Sequence, residues 1–249
     1  MQTTGNTILI TGGGSGIGRG LAEAFHRQGN QVIIAGRRQS ALDEVISANP
    51  GMAGLTVDMT DAASIVSLAA QAIATFPALN AVINNAGIMV DEDVLAPGYL
   101  ATAEDTVATN LLGPIRLTAA LLPHLLAQPK ATVLTVSSGL AFVPKASTPT
   151  YSATKAAVHS YSQSLRYQLR NTAVEVIEIA PPYVQTTLMG EHQASDPNAM
   201  PLDAYLSETM DLLAGEPEHG EVLVQRVHWQ RFAEQRGEAA EVFTALNPA

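Results

Sequence analysis

The sequence predicts one α/β domain, a doubly wound parallel sheet with helices on both faces. Three observations point there. Short, continuous apolar runs alternate with helical stretches, the pattern of a parallel sheet buried on both sides. A glycine-rich turn joins the first strand to the first helix. No repeat period or low-complexity linker divides the 249 residues, a length that fits one large domain.

The elements follow in order. "TILIT" (7–11) is a β-branched strand ending in glycines, and "IGRGLAEAFHRQG" after it has helical spacing and stops at Gly29. "QVIIAG" (31–36) is a buried strand. "SALDEVISA" is helical, with Ser40 as N-cap and Asp43 as its capping-box partner. "GLTVDM", "NAVINNAG", "ATVLTVSSG" and "VEVIEIA" are further strands. Helices are expected over 62–74, over 103–127 and from Tyr151 to Arg170. The least regular stretch, 181–220, is rich in Pro, Gly and polar residues. Its part 183–215 is expected to act as a substrate lid, and 228–249 to be helical and peripheral. Pro123 re-aims the helix that contains it.

Composition excludes several classes. Cysteine is absent, so there is no disulfide framework, thiol nucleophile or thiolate metal site. A formal charge of −10 disfavours nucleic acid and anionic membrane as partners. "MQTTGNTILI" lacks the basic start of a signal peptide, and no apolar run is long enough to span a bilayer. A cytoplasmic setting is expected. The six histidines show no paired ligand spacing, so no catalytic metal is expected. "DED" (91–93) reads as a solvated loop, and His159 as a helix-surface or subunit-contact residue.

Parallel sheets bind ligands at the carboxyl ends of their strands. Three motifs fall there. "TGGGSGIG" (11–18) does not fit G-x-G-x-x-G; it fits G-x-x-x-G-x-G at Gly12, Gly16 and Gly18. Glycines there let backbone approach a pyrophosphate at a helix N-terminus. "NNAG" (84–87) leaves room for a ribose and nicotinamide, although alone it reads rather as a polar turn. "VSSG" places Ser137 and Ser138 at a strand end, and Tyr151 follows thirteen residues after Ser138.

Lys155 lies one helical turn beyond Tyr151, on the same face. Six tyrosines and three lysines make this pair rare by chance. A neighbouring ammonium favours the phenolate. Bringing a phenol from about 10 to about 7 takes roughly 4 kcal/mol. Two unit charges about 4 Å apart at an effective dielectric of about 20 supply a similar amount. On this reading Tyr151 is an acid–base group matched to neutral pH, able to protonate a carbonyl oxygen as hydride arrives.

An NAD site places an acid about 20 residues beyond the glycine loop. Here that position is Gly36, followed by Arg37 and Arg38. Guanidinium groups suit a 2′-phosphate, so NADP(H) is the expected cofactor.

Taken together, "TGGGSGIG", "NNAG", "VATNLLG", "VSSG" and "YSATK" resemble the short-chain dehydrogenase/reductase family, in its short single-domain branch. The resemblance implies a Rossmann-like sheet of seven strands, with "EVLVQ" (221–225) the last. It implies that Ser138 polarises a substrate carbonyl, Tyr151 transfers the proton, and Lys155 tunes Tyr151 and bonds the nicotinamide ribose. Asn110 would bind a relay water; its residue type alone suggests a polar group packed on backbone. The resemblance also implies cofactor contacts from Ser15, Ile17, Asp58, Asn84, Ala86, Gly87, Pro181, Val184 and Thr186. Some NADP-preferring relatives carry a basic residue where Ser15 stands. A homodimer, or a tetramer, is implied through the helix 151–170 and the helix before the fifth strand.

Two departures stand out. "APPYVQT" puts Pro182 where the family has glycine, and this stretch resembles the DltE-like subgroup. The C-terminus carries "VHWQRFAEQRG" in place of Asp-Gly-Gly. Met89, Leu140, Phe142, Tyr183, Leu188 and Met189 are the expected substrate pocket, suited to hydrophobic ketones or aldehydes. The expected activity is an NADP(H)-dependent carbonyl reductase or alcohol dehydrogenase. A non-catalytic nucleotide sensor and a nucleotide-sugar epimerase or dehydratase are the alternatives; the latter usually carry G-x-x-G-x-x-G and a longer C-terminal domain.

Overall fold

The computed structural model describes residues 1–215 and 217–248. The strands are β1 (Thr7–Thr11), β2 (Gln31–Gly36), β3 (Ala53–Thr56), β4 (Leu79–Asn84), β5 (Ala131–Val136), β6 (Val174–Ile179) and β7 (Glu221–Val222). They form one sheet in the order β3-β2-β1-β4-β5-β6-β7, parallel throughout. The order reverses between β1 and β4, which opens a crevice at their carboxyl ends.

The helices are α1 (Gly16–Arg27), α2 (Gln39–Ala48), α3 (Ala62–Thr75), α4 (Tyr99–Val107), α5 (Gly113–Leu126), α6 (Pro149–Leu169), α7 (Glu191–Ala194), α8 (Leu202–Ala214), α9 (His228–Arg231) and α10 (Ala239–Leu246). Strand side chains alternate between faces, and β1 feeds both cores. Ile8 and Ile10 pack with Leu21 and Phe25 of α1 and Tyr205 and Leu213 of α8. Leu9 packs with Leu68 of α3, Leu117 and Leu121 of α5, and Leu165 of α6.

Several elements depart from the sequence expectation. The single helix expected over 103–127 is two helices joined by a π-turn at Ala108–Leu112. Pro114 lacks the N–H that would close a regular turn onto Asn110. Ser40 is not a cap: α2 starts at Gln39, its N-cap is Arg38, two residues before Ser40, and Gln39 donates to Asp43 at 2.7 Å. β7 is two residues rather than five. The chain then turns at Gln225–Val227 into α9.

The C-terminal segment is not peripheral. Ala233 and Val242 are buried against Val143, in the loop after β5. Of the expected lid, α8 belongs to the main core, with Tyr205 fully buried. Residues 183–200 form a flap braced by its own backbone: Met200 donates to Tyr183 O at 2.8 Å and Gln185 to Met200 O at 2.9 Å. Among the described residues no helix is long and apolar enough to cross a membrane.

Candidate active site

A cleft of about 1280 Å³ runs across the carboxyl ends of the strands. One end is the turn between β1 and α1. Gly12 and Gly16 have φ of 70° and 51°, backbone that side chains disfavour. A Cβ on Gly12 would lie 2.7 Å from Asn85 Nδ2, and one on Gly18 would run into the Gly12 carbonyl. Gly12, Ser15, Gly16, Ile17 and Gly18 all line the cleft. No acid stands in the first turn of α1, so nothing opposes an anion there.

Arg37 and Arg38 line the cleft at the end of β2, exposed and with no ion pair among the described residues. Asp58 lies near them. Its carboxyl is held below the usual range by the Thr60 amide and hydroxyl, with a smaller pull from Arg37. At the centre, the Thr11 hydroxyl accepts from the Asn85 and Ala86 amides, each at 3.1 Å. Ala86 and Gly87 line the cleft, but Asn84 does not. Asn84 is buried and donates to Thr118 at 3.1 Å. Asn85, not singled out in the sequence, faces the cleft in its place.

Ser138, Tyr151 and Lys155 converge on the floor of the cleft. β5 ends at Val136 and delivers Ser138, which caps a short turn by accepting from Leu140 N at 3.1 Å. α6 starts at Pro149, whose missing N–H costs nothing at a helix start, and carries Tyr151 and Lys155 inward. Lys155 donates to Val136 O at 2.7 Å, and its ammonium is 5.5 Å from the centre of the Tyr151 ring.

The electrostatics differ from the sequence argument. Burial pushes the Tyr151 phenol up to about 12, offset in part by the Ser138 hydroxyl. Burial pushes Lys155 down to about 8, with the Glu178 carboxylate pulling the other way. Lys155 therefore does not by itself draw Tyr151 towards neutrality; desolvation disfavours the charged form of both. The resting tyrosine holds its proton, as a donor must.

Asn110 sits in the π-turn, does not line the cleft, and has its amide bonded to the Ile88 backbone, 2.9 Å from N and 2.8 Å to O. Pro181, Val184 and Thr186 line the cleft, and Thr186 reaches over the glycine turn, 3.5 Å from where a Gly16 Cβ would stand.

On the expected substrate side, Met89, Leu140, Tyr183, Leu188 and Met189 line the cleft. Phe142 does not. It is turned away, edge-on to His159 at 4.9 Å and under Arg231 at 4.8 Å. His159 is not a surface residue either: its side chain is 17% exposed and its Nδ1 meets Glu178 at 2.8 Å. Glu178 is fully buried, also bonded by Ser137, and faces Glu221 across β6 and β7. Such facing carboxylates repel; Arg231 offsets this with bonds of 2.7 and 3.1 Å to Glu221. His159, Glu178 and Glu221 thus come together from distant parts of the chain, where no sequence spacing signals them. The sequence also missed Lys145, Trp229, Gln230 and Leu246, which complete the cleft.

A parallel sheet with a glycine cradle at its crossover and a Ser–Tyr–Lys floor belongs to the oxidoreductases of the α/β class. The family model for short chain dehydrogenases matches residues 6–197, and the chain belongs to that family. It is 44% identical over 189 residues to the "Uncharacterized oxidoreductase DltE" of Bacillus subtilis (strain 168), covering 76% of this chain and 75% of the relative. Among solved structures it resembles a short-chain dehydrogenase from Streptomyces avermitilis, with a TM-score of 0.83, 25% identity, and 97% and 96% of the two chains covered. It also resembles the closed form of serine dehydrogenase complexed with NADP+, with a TM-score of 0.77, 26% identity, and 86% and 91% covered.

Proposed function

We propose that the protein is an NADP(H)-dependent carbonyl reductase or alcohol dehydrogenase. The observation that carries this reading is the placement of Ser138, Tyr151 and Lys155 on the floor of the same cleft that holds the glycine turn and Arg37. The cofactor's pyrophosphate would lie on Gly12–Gly18, its 2′-phosphate at Arg37 and Arg38, its adenine by Asp58, and its nicotinamide end between Gly87, Lys155 and Thr186. Bound there, it supplies or takes up the hydride. Ser138 Oγ holds the substrate oxygen, and Tyr151 Oη gives that oxygen its proton in reduction. Lys155 orients the ribose and, while charged, steadies the phenolate left behind. Asn110 holds the Ile88 backbone at the far side of Lys155.

Leu140, Leu188 and Met189 favour a substrate with an apolar body. The flap 183–200 would close over it. The test is consumption of NADPH with a panel of ketones and aldehydes. Tight cofactor binding without turnover of any carbonyl would favour a nucleotide sensor instead.

A pH dependence follows from Lys155. Below about pH 8 it is charged; as pH rises through that value the charge is lost, while Tyr151 keeps its proton. The alkaline limb of kcat/KM for carbonyl reduction, which reports the free enzyme, is expected near pH 8, and a limb near pH 10 would contradict the role given to Lys155.

Assembly as a homodimer is part of the same reading. Leu112, Leu126 and Tyr167 are exposed at 39%, 43% and 67% on the π-turn, α5 and α6. Sedimentation should give twice the mass of the chain; a monomer at micromolar concentration would refute this.

A further inference from the structure

The C-terminal segment brings to the cleft an amide with no hydrogen-bond partner among the described residues. Gln230, on α9, is 4% exposed and lines the cleft. Its carboxamide packs on Gly139, where a Cβ would collide with it, and Gly139 directly follows Ser138. Among the described residues, no hydrogen bond reaches this carboxamide. Its nitrogen and oxygen are not among the enclosed side-chain atoms left unpaired; they open onto the cleft, where a ligand can reach them.

The amide is also held in place. Its neighbour Arg231 is tied to Glu221 and stacks over Phe142, and Ala233 is fully buried in the cluster with Val143 and Val242. Polar groups fixed before a ligand arrives are those that discriminate best. Gln230 lies outside residues 6–197 matched by the family, so the family pattern supplies no role for it.

We propose that Gln230 is a specificity residue whose carboxamide hydrogen-bonds an oxygen on the carbon next to the reacting carbonyl. The preferred substrates are then carbonyl compounds with vicinal oxygens: α-diketones, α-hydroxy ketones or α-keto acids. This rests on the reading of the cleft as a carbonyl reductase site. The placement rests on Gly139: the amide packs on the residue that follows Ser138, so a carbonyl held by Ser138 would bring its neighbouring carbon towards it. Glutamine both donates and accepts, so it suits each of these oxygens. In the reduction, hydride from NADPH goes to the reacting carbon, the Tyr151 proton goes to its oxygen, and NADP+ is released. The neighbouring oxygen is unchanged. Lys145 lines the same cleft without an ion pair among the described residues, so a carboxylate is one form this oxygen can take.

The test compares wild type with Gln230→Met, which keeps the length and removes the amide. The substrates are 2,3-hexanedione, 2-oxohexanoate and 2-hexanone. The variant should lose at least about tenfold in kcat/KM for the first two, the worth of a lost hydrogen bond in a specific site, with 2-hexanone unchanged. A larger loss for 2-oxohexanoate, shared by Lys145→Ala, identifies the carboxylate as the group recognised; a larger loss for the dione identifies the neutral oxygen. An equal loss on all three substrates together with a lower melting temperature would make Gln230 structural and overturn the proposal, as would unchanged ratios. Absence of any carbonyl turnover overturns the functional reading as well, whereas turnover without the vicinal preference overturns this inference alone.

Discussion

Tyr151→Phe is expected to lower turnover by at least about a hundredfold, the low end for loss of a general acid, with NADPH affinity little changed. Tyr151 is 7% exposed, and phenylalanine fills nearly the same volume, so the fold should be retained. What disappears is the phenolic Oη, the proposed proton source beside Ser138. The glycine turn and the Lys155 bond to Val136 are untouched, which is why binding should survive. The measurement is kcat with a reducible ketone beside a fluorescence titration of NADPH. Turnover within a few-fold of wild type would remove Tyr151 from its role.

Catalytic efficiency is expected to favour NADPH over NADH by roughly ten- to a hundredfold, the worth of charge-assisted bonds of about 1.5–3 kcal/mol. On the proposed reading Arg37 would be the main contact and Arg38 the second. Gly36→Asp should reverse the preference, because a carboxylate there repels the 2′-phosphate and offers the 2′-hydroxyl an acceptor. The position has room: a Cβ on Gly36 would meet only Leu42, at 3.7 Å, an ordinary contact. The reversal therefore does not require the β2–α2 turn to move. A wild type that favours NADH would refute the assignment, and a variant that still favours NADPH would show that the arginines outweigh the added charge.

Sequence by itself determined the doubly wound sheet, the glycine turn, and the Ser138–Tyr151–Lys155 floor. These are local signals. Apolar runs of strand length mark β1, β2 and β4–β6; glycines mark the turn; and a four-residue spacing puts Tyr151 and Lys155 on one helix face. β7 is shorter than expected because its apolar run, Val222–Val224, continues past the point where β6 ends and no partner remains to pair with. The π-turn was missed because one added residue in a helix barely alters apolar spacing.

Tertiary structure alone decided what depends on residues far apart in the chain. Phe142 looks like a pocket residue until His159 and Arg231 claim its ring. His159 looks like a surface residue until Glu178, from another strand, reaches it. Asn84 and Asn85 are equivalent in sequence, and only the direction of β4 turns the first inward and the second to the cleft. The C-terminal segment reaches the cleft because Arg231 pairs with Glu221, so Gln230 arrives beside Ser138 from 92 positions away. The direction of the Tyr151 and Lys155 pKa values was equally beyond the sequence. Spacing fixes which groups can meet, but desolvation by the surrounding core sets which protonation state each prefers.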